Sequence, residues 1–328
     1  MQRRKFLVAL GSVLALRPRV LFAQKTDKPI VGFLGVGSPE TFSQRISAFR
    51  KGLAEAGFVE NKNVWIEYRW ANDVPERLPS LAAGLIERKV NVIATGGGPA
   101  PALVAKSATS DIPIVFATPG SDPIELGLVT SMNRPTANVT GVGFLVSSVS
   151  AKQAEVISEA IPNASSIGLL INRSNPNSSY YIKNVQEAAE KLGRKIVVFS
   201  AATEPELDQA LSTIVEQHLG AFIAVPDVFF FRQRHKLVAW AAANSIAGIY
   251  GSRDFPEAGG LMSYGTSIDD GYRLEGVYVG RILKGERPSD LPVQQAEKIE
   301  LVINLKAAKG LGLSIPITLL GRADEVIE

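Results

Sequence analysis

Along the chain, short apolar runs alternate with longer amphipathic segments, the pattern of βα units laid on a parallel sheet. Residues 29–35 read as a buried strand. Residues 41–57 set Phe42, Ile46, Phe49, Leu53 and Ala56 at helical spacing, and Gly57 marks the end of that helix. Residues 64–70 then read as strand and 76–88 as helix. Residues 90–95 form a strand ending at Gly96-Gly97-Gly98, and a short helix from Pro101 leads to a strand over 112–118.

The same order returns in the second half. Ile167-Gly168-Leu169-Leu170 repeats Val31-Gly32-Phe33-Leu34 at an offset of 136 residues. After a shortening, Phe222-Ile223-Ala224 falls under Ile93-Ala94-Thr95 at an offset of 129 residues. Residues 246–250 fall under 112–116. Weak similarity with matching element order implies two copies of one α/β lobe.

Two such lobes need a junction. Gly141-Val142-Gly143-Phe144 leads out of the first, and the glycine-rich stretch 259–265 leads out of the second. The pattern predicts a helix over 269–284 that returns to the first lobe. A third crossing at 288–298 places the strand 300–304 and the last helix on the second. The expected fold is therefore α/β, with two doubly wound parallel-sheet lobes joined by a three-strand hinge. The first lobe is expected to hold 27–142 and about 265–288; the second, 143–258 and about 293–328. The cleft between them opens at the carboxyl ends of the strands, where open α/β sheets bind ligands.

Composition changes the picture at one end of the chain. Arg3, Arg4 and Lys5 precede an apolar run over 6–16, and the segment closes on Leu21-Phe22-Ala23. That is the three-part form of a cleavable export leader, with an apolar stretch too short to anchor in a bilayer. Arg3-Arg4-Lys5-Phe6-Leu7 also resembles the twin-arginine motif. A periplasmic location, reached by the twin-arginine or the Sec route with cleavage near Ala23, is expected. The 328-residue chain carries a formal charge of +3, but residues 1–23 hold five basic residues and no acid, so the processed chain stands at −2. Its sequence pI near 9.0 mostly belongs to the leader and signals neither a nucleic-acid nor a membrane surface.

With no cysteine, thiolate metal sites and cysteine nucleophiles are excluded. His218 and His235, the two histidines, have no metal-ligand spacing; His218 reads as a helix-end residue and His235 sits on a solvated basic face over 232–236. There is no nucleophile elbow, Walker loop or zincin motif, and Gly96-Gly97-Gly98-Pro99 departs from the dinucleotide fingerprint. Neither cofactor nor metal is expected. The strand-end loops are instead rich in small polar groups whose glycines let the backbone approach a ligand and whose following helix N-termini attract a carboxylate. Ser38, Gly97, Gly98, Thr118, Ser121 and Asp122 are the candidates in the first lobe, although serine and aspartate there also serve as ordinary helix caps. In the second lobe they are Asn175, Asp227, Tyr250 and Tyr264, with Asp227 placed to meet an ammonium group and the tyrosines to stack on a ring. Of Phe229-Phe230-Phe231, at least one is expected in the cleft and two in the core.

Several segments together resemble a known family: VWIEYRWA over 64–71, SDPIELGLV over 121–129, NVTGV over 138–142, SRDFPEAGGLMSY over 252–264 and LPVQQAEKIELVINLKAAKGLGL over 291–313. They are similar to bacterial ABC-transporter substrate-binding proteins of the tryptophan-transporter-like group, along nearly the whole chain. The resemblance implies a type I periplasmic-binding fold and capture of a small organic ligand, an amino acid or aromatic carboxylate, by lobe closure. It also implies delivery to a membrane permease with its ATPase. The alternative of the same fold is a periplasmic sensor component that presents its ligand to a signalling receptor. An exported α/β enzyme lacks its motifs here, and a cytoplasmic repressor would lack a leader and carry a DNA-binding headpiece.

Overall fold

The structure is a computed structural model and describes residues 28–118, 122–135, 137–144, 149–175 and 177–328. The leader, Ser121 and the first hinge crossing at 145–148 lie outside the described residues.

The first lobe begins with β1 (Ile30–Gly35), α1 (Ser43–Glu55), β2 (Trp65–Trp70), α2 (Leu78–Glu87), β3 (Val92–Gly96), α3 (Pro99–Ala108), β4 (Ile114–Thr118) and β5 (Val139–Phe144). The second holds α4 (Val149–Ala160), β6 (Ser166–Ile171), α5 (Ser178–Lys191), β7 (Lys195–Ser200), α6 (Glu204–Glu216) and β8 (Ala221–Ala224). It continues through α7 (Val228–Arg232), α8 (Arg234–Ala243), β9 (Ala247–Tyr250), α9 (Asp254–Glu257) and β10 (Met262–Thr266). After it come α10 (Ile268–Leu283), β11 (Gln294–Ala296), β12 (Ile299–Asn304), α11 (Leu305–Gly310), α12 (Ile317–Leu320) and β13 (Glu325–Ile327).

The first sheet runs β11-β5-β4-β3-β1-β2 and the second β13-β12-β10-β9-β8-β6-β7, so β5-β4-β3-β1-β2 and β10-β9-β8-β6-β7 share one order. The repeat extends to register: Gly32 pairs with Ile93, and their counterparts Gly168 and Phe222 pair in the same way. Both sheets bury both faces, which is why β1, β3, β4, β6 and β8 read as continuous apolar runs rather than alternations. One pairing departs from the all-parallel expectation: β10 and β12 are antiparallel. β10 carries the chain toward the hinge and β12 brings it back, so neighbours in the sheet must run oppositely.

The helix α10 follows a second-lobe strand yet packs on α1, as the pattern over 269–284 predicts. Glycines allow it. A Cβ at Gly52 would stand 1.7 Å from the Arg273 carbonyl oxygen, and one at Gly276 would stand 2.1 Å from that of Phe49. The two helices therefore touch backbone to backbone, and any larger residue forces them apart. β11 then extends the first sheet beside β5 before the chain crosses a third time into β12.

Candidate functional site

The carboxyl ends of the strands of both sheets face an interlobe cleft with a cavity of about 410 Å³, within the range of sites for small organic ligands. From the first lobe it is lined by Val36, Gly37, Thr41, Phe42, Arg45, Asp73, Gly97 and Gly98. The second lobe contributes Val225, Pro226, Asp227, Val228, Phe231, Arg232, Arg234, Gly251, Ser252 and Phe255, and the second crossing contributes Ile268 and Tyr272.

The first-lobe wall is built mainly of backbone and rings, with Arg45 and Asp73 as its charged side chains. Gly97 and Gly98 hold positive φ angles of 93° and 101°, a conformation that carries the chain from β3 into α3 at short range. A Cβ on Gly97 would meet Val36 Cγ1 at 2.4 Å. The Gly97 amide donates to the Tyr272 hydroxyl at 2.9 Å, which fixes the loop. Gly98 caps α3 without a side-chain acceptor, and Pro99 follows in the first turn, so the N-terminal end of α3 opens on the cleft. Phe42 sits between Trp70 and Tyr272, with ring centroids at 5.3 and 6.2 Å. Below this wall Glu275 is fully buried: one carboxyl oxygen accepts the Thr95 amide at 3.0 Å and the other has no partner. Burial pushes the Glu275 carboxyl well above the usual carboxylate range, with the Thr95 amide opposing.

The second-lobe wall carries three of the charged side chains, Asp227, Arg232 and Arg234. Asp227 caps α7, accepting the Phe229 amide at 2.8 Å, Asn172 Nδ2 at 3.1 Å and Asn175 Nδ2 at 2.9 Å. Three donors leave the carboxylate one orientation and spare lone-pair capacity. Phe231 lines the cleft, with the Arg234 guanidinium 4.8 Å from its ring centroid. Its neighbours behave as the triple-phenylalanine reading expects: Phe230 belongs to the core and Phe229 packs against it.

Of the residues singled out in the sequence, Gly97, Gly98 and Asp227 meet in this cleft. Asn175 stands behind it as a donor to Asp227. Ser38 is tied to Thr41, whose hydroxyl accepts its amide at 3.1 Å. Thr118 is fully buried at the end of β4, with no partner for its hydroxyl. Asp122 accepts the Ile124 amide at 2.7 Å, within a turn. Tyr250 is fully buried and stacks on Phe255 at 4.4 Å, and Tyr264 packs half-buried against the core, so neither ring lines the cavity. The basic face over 232–236 divides: the helix breaks at Gln233 between α7 and α8, and Arg232 and Arg234 line the cleft. Phe42, Arg45, Arg232, Arg234 and Tyr272 also line the cleft, where the strand-end loops alone do not announce them. Among the described residues no cluster of His, Asp or Glu is arranged to hold a metal ion, and no helix is long and apolar enough to cross a membrane.

A cleft between two repeated, doubly wound lobes is the architecture of a type I periplasmic-binding fold. The chain belongs to the ABC transporter substrate binding protein family, whose model matches residues 36–327, and members of this family work outside the cytoplasm. It is 28% identical over 267 residues to the tyrosine-binding protein of Clostridioides difficile strain R20291, covering 81% of this chain and 75% of the relative. In structure it is similar to an ABC domain from Streptococcus pneumonia in complex with L-Trp (TM-score 0.79, 25% identity, 92% of this chain and 100% of that one). It is also similar to the ligand-free, open structure of a substrate-binding protein with adhesive properties from Clostridium difficile (TM-score 0.70, 26% identity, 91% and 99%).

Proposed function

We propose that this protein captures an aromatic amino acid in its interlobe cleft and hands it to a membrane permease driven by a cytoplasmic ATPase. The leader over 1–23 directs export, by the twin-arginine or the Sec route, and is removed near Ala23. The observation that carries this reading is Asp227, a carboxylate held by three donors at the wall of a cavity otherwise lined largely by rings and aliphatic groups. Asp227 receives the ligand ammonium. Phe42 and Phe231 hold the ring from opposite lobes, and the free end of α3 at Gly98, with Arg232 and Arg234, receives the carboxylate. Asn175 acts through Asp227, whereas Ser38, Thr118, Asp122, Tyr250 and Tyr264 shape the loops and cores behind the cleft. The tyrosine-binding relative and the neighbour holding L-Trp support this ligand class.

Micromolar capture corresponds to about −8 kcal/mol, the scale of a few charge-assisted hydrogen bonds and one buried ring. A thermal-shift screen of the purified protein against amino acids and aromatic acids tests the assignment, since a ligand that binds only the folded state raises the melting midpoint. Tyrosine or tryptophan is expected to give the largest rise. A screen in which aliphatic amino acids or sugars lead would overturn it.

A further inference from the structure

Arg45 lines the cleft on α1 and is only 5% exposed, an unusual place for a guanidinium. Its partners come from both lobes. Nη1 donates to Asp269 at 2.9 Å, in the first turn of α10, and to Gln44 Oε1 at 3.2 Å. Nη2 donates to both carboxylate oxygens of Asp254, on α9 of the second lobe. The Ser252 hydroxyl donates to the same Asp254 carboxylate. Burial by itself would lower the Arg45 pKa, but Asp254 and Asp269 outweigh it and the pKa ends raised. All four terminal N–H groups are thus engaged, and only Nε–H is left for a ligand. Arg45 is a wall of the cleft whose terminal donors are spent on holding the lobes.

A further hydrogen bond crosses the cleft, from Gln44 Nε2 to Glu257 Oε2 at 3.4 Å, and Val228 faces Gly98 closely enough that an added Cβ there would lie 3.9 Å from Val228 Cγ2. The lobes therefore meet across the cleft. Among these contacts, the Arg45–Asp254 pair alone joins opposite buried charges across the cleft. In the closed state Arg45 is shared by two acids; separating the lobes removes Asp254 and leaves only Asp269.

We propose that Arg45 is the positioning residue of lobe closure: by bridging Asp254 of the second lobe to Asp269 of the first, it holds the cleft shut and sets how fast ligand leaves. This goes beyond the ligand assignment, resting on it only for the claim about release. Asp254→Asn removes the interlobe charge pair and still leaves Arg45 compensated by Asp269, so the first lobe keeps a balanced pair. Arg45→Lys keeps the charge but loses the planar fork that spans both acids.

The chain has no cysteine, so spin labels at Glu76→Cys and Gln209→Cys, on exposed surfaces of the two lobes, report their separation by pulsed electron resonance. In the ligand-free protein, both variants are expected to shift the distance distribution toward longer separations while the melting midpoint changes little. With L-tyrosine as probe, dissociation speeds up about tenfold and association changes less than about twofold, the split expected when a buried charge pair is broken. Unchanged ligand-free distances in both variants would overturn the proposal, whatever the ligand proves to be. Altered distances with no response to L-tyrosine would instead count against the ligand assignment and leave the closure role standing.

Discussion

The two walls of the cleft descend from one repeated unit and differ in what they present. The first lobe offers mainly backbone and rings, Gly97 and Gly98 at the open end of α3 and Phe42 between Trp70 and Tyr272, with Asp73 and the ion-paired Arg45 as its charges. The second offers charged side chains: Asp227 held by Asn172 and Asn175, with Arg232 and Arg234 beside Phe231. The five repeated strands of the two sheets share one order, and Gly32–Ile93 and Gly168–Phe222 pair alike, so the difference at the cleft lies in the loops. At the end of β3 the chain turns through positive-φ glycines straight into a helix, bringing main-chain groups to the ligand. At the equivalent end of β8, Asp227 caps a one-turn helix that breaks at Gln233, and this break turns two arginines inward. A duplicated scaffold thus presents two different cleft walls through loop change alone.

If the second lobe reads charge, Asp227→Ala is the largest single blow. It is expected to weaken L-tyrosine about 100-fold, the scale of losing one side of a desolvated charged contact, while the desamino analogue weakens less than about threefold. Equal losses, by calorimetry, would show that Asp227 serves the loop and not the ligand. Phe231→Ala should cost about 20-fold for both compounds, because it removes ring burial without touching charge. On the first lobe, Gly98→Ala puts a Cβ on a residue at φ 101° and is expected to cost about tenfold, through backbone strain of order 1–2 kcal/mol. A Gly98→Ala protein of unchanged affinity would remove the backbone half of the comparison.

The smallest effect concerns stability. Glu275 lies beneath the first-lobe wall with its folded-state pKa raised by burial. A carboxyl of that kind stabilises the fold fully below its unfolded value, and the contribution is lost as pH rises through the folded value. The melting midpoint should therefore fall as pH climbs above the ordinary carboxylate range, and Glu275→Gln, which keeps an acceptor for the Thr95 amide, should flatten that decline. Parallel pH profiles for the two proteins would contradict it.

How far the sequence discloses all this depends on what each residue's role requires. The repeat was legible as the alignment of Gly32 with Gly168 and of Ile93 with Phe222, because buried parallel strands must be continuously apolar and their spacing survives in the chain; the matching pairings between them are seen only in the sheets. The return of α10 to the first lobe followed from its position after the second glycine-rich exit. Gly97, Gly98 and Asp227 were legible because a strand-end glycine turn and a helix-capping acid have local causes. Thr118, Tyr250 and Tyr264 were not, since which face of a strand end looks into the cleft is decided by pairing and packing across the sheet. Arg45 escaped for the same reason: it lies on a helix whose apolar stripe reads as core, and its two acids lie more than 200 residues away along the chain. Arg232 and Arg234 looked like part of a solvated face because nothing local announces the helix break at Gln233.

The central claim is that the cleft holds a molecule with an amine, a carboxylate and a ring. Calorimetric titration of the purified protein with L-tyrosine and with its desamino analogue tests this most directly. One site per chain is expected for L-tyrosine, with at least about 30-fold weaker binding of the analogue, the worth of one charge-assisted contact of about 2 kcal/mol. Equal affinity for the two compounds, or no binding of either, would contradict it.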